Sequence, residues 1–381
     1  MLITRRSALL SAATITTVGT TLGVSRRARA AETMKIGVVS PLTGPVAEAG
    51  RIQLNSLRLA VEKQNAAGGA LGQQIELIVE DDQSTNPGAV LAFSRLAERK
   101  EIVGFIGSIR STQMNAMAPD MLKVAKPVMF GGTDPTLTKL GNPWLFRCRP
   151  NDGYSGRVIV SFVTDSMKLK KVALIHSTDA FGTGGKNAIL ANLEKKGLQP
   201  ALVQGYTNNQ PDFSPVVLAV KSSGADVIVS YFTNEPDCAV FARQLRQLGI
   251  RTPWVGSPSI QSPVTRGLAK NALYGTYAVA DFVEDSNPTA KAFADVYRGK
   301  HKESPDSGWT YDGLMILAKG MNDAKSTEPE KIRQAILSIK KYAGTEGEYN
   351  FDQFGDGLHG YNIVINNNDK IDYKEHIEFT D

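Results

Sequence analysis

The stretch "IVGFIGSIRST" (residues 102–112) runs from an apolar segment, Ile102 to Ile106, through Gly107 to Ser111 and Thr112, where a helical pattern begins. A short continuous apolar run of this kind reads as a strand buried on both faces, and a Ser/Thr at the head of a periodic segment reads as a helix start. Strand, glycine turn and helix start together leave backbone N–H groups free, with the positive end of the helix dipole behind them. Such a cradle suits phosphate or carboxylate. If Ser111 only caps its own helix, worth about 1 kcal/mol, it holds nothing.

The same rhythm extends in both directions. Short apolar runs "KIGVV" (35–39), "IELIV" (75–79) and "PVMF" (127–130) alternate with helical periodicity at 48–66, 87–99 and 112–125. It restarts with "KVALIH" (171–176), a helix from about Phe181, an extended piece near 201–206, a helix at 213–222, "DVIVSY" (226–231), a helix at 237–248 and "PWVG" (253–256). Repeated strand-helix units imply an α/β fold with two doubly wound parallel sheets, each covered on both faces. Helical patterns at 289–301, 309–323 and 329–340 precede "GEYNFDQFGDGLHGYNIVI", whose Gly and Asp punctuation reads as strands and turns. No Pro/Ser-rich linker separates the halves, so short crossings that form a hinge are expected. A second glycine turn, "FGGTDPTLT" (130–138), follows the next strand. In open α/β sheets ligands lie beyond the carboxyl ends of the strands, so Ser111 and Thr133 are candidate carboxylate donors. Arg110 is the only cation in the two turns.

A chain of 381 residues accommodates two domains, and 42% hydrophobic with 21% charged residues is a globular composition. The net charge of +5 equals the five arginines at 5, 6, 26, 27 and 29, which lie in a segment without acids. The remainder is neutral, so a nucleic-acid partner is not indicated. Residues 1–30 have the layout of an export signal: "TRRSALL", a Thr-diluted apolar stretch from Ala8 to Val24, then "ARA". Its paired arginines resemble a twin-arginine signal. The apolar stretch falls short of the roughly 20 apolar residues that span a bilayer, and no cysteine precedes Cys148 to carry a lipid. A soluble periplasmic product is expected, in which Cys148 and Cys238 are buried free thiols, because a twin-arginine substrate folds before export.

Catalytic and metal motifs are missing: the four histidines are scattered, and neither HExxH, paired-Cys spacing nor GxSxG occurs. No enzyme, cofactor or metal is expected. "FGTGGK" (181–186) fits neither nucleotide-loop template and reads as a tight turn.

The ordered segments "IGVVSPLTGPVAEAG", "GSIRST", "GGTDPTLT", "LFRCRPND", "VALIHSTDAFGTGG", "TYDG" and "GTEGEYNFDQFGDGLHGYNIV" resemble the periplasmic leucine/isoleucine/valine-binding proteins over residues 35–370. These are monomeric receptors of ABC importers with the type I periplasmic binding fold. The resemblance implies a small carboxylate-bearing ligand, an inner-membrane ABC permease as partner, and two discontinuous lobes, 31–150 plus 280–357 and 151–279 plus 358–381. It places the ligand carboxylate on Ser111 and Thr133, with Gly131 or Gly132 offering a carbonyl to an α-ammonium and Phe181 closing from the second lobe. It sets the side-chain pocket near Ala49, Ile109, the turn Thr233, Asn234 and Glu235, and Trp309 or Tyr311. A ligand sensor of the same fold is the alternative reading.

Two departures bear on the ligand. Amino-acid binders of the family usually place a Glu on the ammonium in the segment matching "WVGSPSI", where this chain has Pro258 between Ser257 and Ser259. Residue 49, commonly a bulky aromatic, is Ala. The pocket is therefore expected to be larger and to favour a bigger carboxylate, aromatic ones included, unless Asp152 or Glu235 supplies the acid.

Overall fold

The computed structural model describes residues 33–368 and 370–379, so the export-signal reading of residues 1–30 lies outside them. The first sheet is built from β1 (Met34–Ser40), β2 (Ile75–Asp81), β3 (Ile102–Ile106), β4 (Val128–Phe130) and β5 (Leu145–Arg147), all parallel, in the order β2-β1-β3-β4-β5. Helices α1 (Ala47–Ala66), α2 (Asn86–Ala97) and α3 (Ser111–Val124) return the chain between its strands. Side chains alternate across the sheet: Ile36 and Val38 enter one core, Val39 the other. Local signals set the helix starts, as where Thr85 accepts the Gly88 N–H at 3.0 Å with Pro87 in the first turn of α2.

After α4 (Asp152–Ser161) the second sheet follows: β6 (Val172–Ser177), α5 (Ala180–Lys195), β7 (Leu202–Tyr206), α6 (Ser214–Ser222), β8 (Val227–Tyr231), α7 (Glu235–Gln247), β9 (Trp254–Gly256), α8 (Pro263–Ala269) and β10 (Tyr277–Ala280). The chain then returns to the first core with α9 (Pro288–His301), α10 (Trp309–Ala324), α11 (Pro329–Leu337) and a short ladder, β11 (Tyr342–Ala343) with β12 (Glu348–Tyr349). Strands β13 (Gly360–Asn367) and β14 (Lys370–Glu378) complete the second sheet in the order β14-β13-β10-β9-β8-β6-β7. This sheet is mixed, because β13 runs antiparallel to both β10 and β14. β13 enters from the first core without a crossover helix, and β14 follows it through a tight turn at Asn368 (φ 48°), a connection open only to antiparallel neighbours.

The chain thus passes between the sheets near 148–151, 281–287 and 350–359, and buried polar contacts bind these passages together. Arg147 Nε donates to Asp356 Oδ1 at 2.7 Å, and Asn151 Nδ2 to Asp356 Oδ2 at 3.0 Å. Arg149 pairs with Asp281, and Asn362 Nδ2 donates to the Asp281 carbonyl at 2.9 Å. Cys148 and Cys238 are free and buried.

The glycines of "FGTGGK" form no tight turn. They lie in the first turns of α5, whose cap, Asp179, accepts the Gly182 N–H at 3.0 Å. The reason for one of them is packing: a Cβ on Gly185 would fall 2.1 Å from Cδ1 of the fully buried Tyr231. Gly185→Ala is expected to destabilise by about 1–3 kcal/mol through overpacking. Urea unfolding checks this as a lowered midpoint at unchanged slope; an unchanged midpoint would show that the ring moves aside.

Candidate functional site

The carboxyl ends of the strands in both sheets open onto one cleft of about 840 Å³, part of it exposed to solvent. Strand order reverses between β1 and β3 in the first sheet and between β6 and β8 in the second, and turns after β3, β6 and β8 line the cleft. This is where open α/β sheets leave room for a ligand. The first half contributes Ala49 and Gln53 from α1, Ile109 and Arg110 from the turn after β3, Ser111 at the head of α3, and Asp306 and Ser307 ahead of α10. From the second half come Phe181, Phe232, Thr233 and Glu235, with Pro258 and Ser259 after β9. Arg149 and Asp281, in two of the passages between the sheets, also line it.

The structure brings Ala49, Ile109, Ser111, Phe181, Thr233 and Glu235 together at this wall. Ser111 is not the cap of its helix. That position is Arg110, while Ser111 Oγ accepts the Asp134 N–H at 3.1 Å and so joins the turns after β3 and β4. Thr133, Gly131 and Gly132 lie one layer behind: Thr133 is buried, the Gly132 carbonyl accepts from Arg147, and the Gly131 carbonyl accepts from Arg149 Nη1 at 3.0 Å. Trp309 does not reach the cleft, because its indole packs on Gly131, where a Cβ would sit 2.7 Å from the ring. Tyr311 turns into the first core against Phe293, ring centroids 5.0 Å apart. Ser257 is buried and shares a hydrogen bond of 2.8 Å with Ser259, which faces the cleft in its place. Asn234 sits at the mouth, where Arg110 Nη2 reaches across the cleft to its Oδ1 at 3.1 Å.

The two acids proposed as substitutes for the missing Glu separate. Asp152 is fully buried at the start of α4 and lines none of the cleft. Burial pushes its carboxyl up to about 7, against the pull of the Thr133 hydroxyl and the Arg149 and Arg147 guanidinia. Glu235 does line the cleft, and burial holds its carboxyl above the usual range. Opposite it stands Asp306, pushed up to about 7 by burial and then by the charge of Glu235, with Oδ1 shielded from water and lacking a donor. Sequence reasoning missed Asp306 and Arg149. Asp306 precedes a helix and reads as an exposed turn residue, whereas Arg149 stood within the quoted "LFRCRPND" without a visible partner.

The cleft therefore offers two guanidinium groups, three carboxyls, several hydroxyls and apolar faces from Phe181, Phe232, Ile109 and Ala49. It is equipped to enclose a polar solute with an apolar portion. Among the described residues, no group of His, Cys, Asp and Glu is arranged to hold a metal ion, and no helix is long and apolar enough to cross a membrane.

Residues 33–365 match the model of a family described as periplasmic binding protein. The leucine-, isoleucine-, valine-, threonine- and alanine-binding protein of Pseudomonas aeruginosa is 28% identical over 342 residues, covering 88% of this chain and 90% of that protein. Among solved structures, the substrate-binding protein LivJ of Streptococcus pneumoniae in complex with isoleucine is similar with a TM-score of 0.83 at 24% identity, covering 91% of this chain and 100% of that one. A solute-binding protein of an ABC transporter from R. palustris in complex with benzoate has a TM-score of 0.82 at 19% identity, covering 91% of this chain and 96% of the other.

Proposed function

The chain belongs to the periplasmic binding protein family, in its leucine/isoleucine/valine-binding branch, and on that premise we propose that it is the solute receptor of an ABC importer, closing two lobes around a small carboxylate-bearing molecule. The observation that carries this reading is the cleft itself. It is walled by the carboxyl ends of two sheets and retains buried polar atoms without partners, Arg110 Nε and Asp306 Oδ1. Buried polar groups are normally satisfied, so these two mark places for groups of a ligand.

In this reading the lobes are residues 31–150 plus 280–357 and 151–279 plus 358–381, and the passages between the sheets are the hinge. Residues 1–30 direct export by the twin-arginine route, and a membrane permease senses the closed form. Bound solute stabilises closure through contacts made to both lobes at once. Relatives and neighbours named for branched-chain amino acids, and one complexed with benzoate, support solutes of this size.

The test starts with the solute that accompanies the native protein. Mass spectrometry should find a small carboxylate in the purified receptor. Returning it to solute-free protein at about 100 times its dissociation constant should add about 2.7 kcal/mol of stability. X-ray scattering should show a smaller radius of gyration in the same titration. A scattering profile unchanged at saturation would remove the lobe-closing reading.

A further inference from the structure

We infer that Arg110 and Asn234 form a latch across the mouth of the cleft, a bond between the two halves that holds the closed form through protein atoms alone. This rests on the receptor reading above and adds to it the contact that must break before a bound solute leaves.

The bond joins two helix heads. Arg110 is the residue before α3 and Asn234 the residue before α7, and Arg110 Nη2 donates to Asn234 Oδ1 at 3.1 Å. An asparagine at the head of a helix usually turns its side-chain oxygen onto that helix and caps it. The Asn234 side chain makes no such bond. Its Oδ1 faces the other half instead, while Nδ2 donates to Asn209 Oδ1 at 3.0 Å. Asn209 is fixed in turn, its N–H donating to Asp237 Oδ2 at 2.9 Å. On the opposite side the Arg110 N–H donates to Ser108 Oγ at 3.0 Å, which sets the root of the long side chain. Both partners are therefore held before they meet, so less freedom is lost when the bond closes.

Position and strength suit a latch better than a strut. The guanidinium lines both the cleft and an outer polar chamber of about 520 Å³, part of it open to solvent, whose walls include Ser84 and Asn86 from the first half and Asp179 and Asn208 from the second. It stands at the wall between the two. Arg147 and Arg149, near the passages between the sheets, are each gripped by a carboxylate and by backbone carbonyls, and breaking a buried pair of that kind is too costly to repeat in every cycle. Arg110 meets a neutral amide. One charge-assisted bond of this type shifts an equilibrium by roughly tenfold or more, yet opens with thermal motion.

Spin labels on Lys123→Cys in α3 and Lys221→Cys in α6 report the separation of the halves, because the native Cys148 and Cys238 are buried. Pulsed electron resonance on the exported form, freed of solute by unfolding and refolding, should show a short and a long distance. Arg110→Met and Asn234→Ala should each lower the short-to-long ratio by roughly tenfold or more. The double variant should lose no more than either alone, because both substitutions remove the same bond. A thermal melt establishes that the variants fold. A parent without the short distance, a ratio unchanged in both folded variants, or losses that multiply in the double variant overturn the latch. If the co-purified solute still shortens the distance in any of those cases, the receptor reading stands; one distance with and without that solute, in parent and variants alike, removes both.

Discussion

Replacing Arg147 by methionine is expected to cost about 3–5 kcal/mol of folding stability, because the change strands a buried carboxylate. Arg147 is fully buried and Asp356 nearly so. The guanidinium donates through Nε to Asp356 Oδ1 at 2.7 Å, through Nη2 to the Asp134 carbonyl at 2.9 Å, and through Nη1 to the Gly132 carbonyl. Methionine fills much of the same volume and makes none of these bonds. Asp356 would keep Asn151 and Thr138 as donors, at 3.0 and 3.3 Å, but no countercharge. A second variant separates the ion pair from the packing. With Asp356 also replaced by leucine, part of the loss should return, since exchanging a whole buried pair for apolar groups is far less harmful than breaking it. Urea unfolding gives both values. A single variant within about 1 kcal/mol of the parent would show that water or a rearranged donor compensates Asp356. Solute affinity should fall as well, because the Asp134 N–H that Arg147 helps position is the donor held by Ser111 Oγ.

The alternation of apolar runs and helical periodicity made most of the fold legible, since each strand and helix is specified by its own residues. The mixed character of the second sheet was not legible: "GYNIVI" reads as a strand, but its direction depends on where the chain re-enters from. At the site, the glycine turns located the cleft, and Ser111, Ala49, Ile109, Phe181, Thr233 and Glu235 reach it. Thr133, Trp309 and Tyr311 do not, because sequence gives the turn or helix but not its rotation, and Trp309 turns its indole onto Gly131. Arg147 and Arg149 share one side of the extended segment "RCR", and the acids that explain them, Asp356 and Asp281, lie far along the chain. Asp306 was invisible for the same reason: the like charge that acts on it, Glu235, opens a helix of the other half, far away in the chain.

Those buried carboxyls lead to the other large effect, on pH. Burial pushes Asp152 and Asp306 up to about 7, and Asp82 and Asp312 up to about 6. In the unfolded chain such groups titrate near 3.9. The folded protein therefore holds more protons than the unfolded one between about pH 4 and 7, and stability drains away as pH rises through that window, by up to about 1.4 kcal/mol per unit for each group fully out of step. Exposed carboxyls with neighbouring donors, such as Glu48 and Glu303 beside Arg51, are lowered instead and lose their contribution only at more acid pH. The solute-free protein should accordingly melt highest at mildly acid pH and distinctly lower at pH 8. Asp306 is faced by Glu235, Asp281 and Arg149, and it is one of four raised carboxyls, so D306N should reduce this dependence while leaving most of it in place. Scanning calorimetry of the solute-free parent and of D306N from pH 5 to 8 reads both effects. A melting temperature that rises steadily to pH 8 would show that these carboxyls are solvated in the fold, and a D306N profile that matches the parent's would show that Asp306 in particular is not raised.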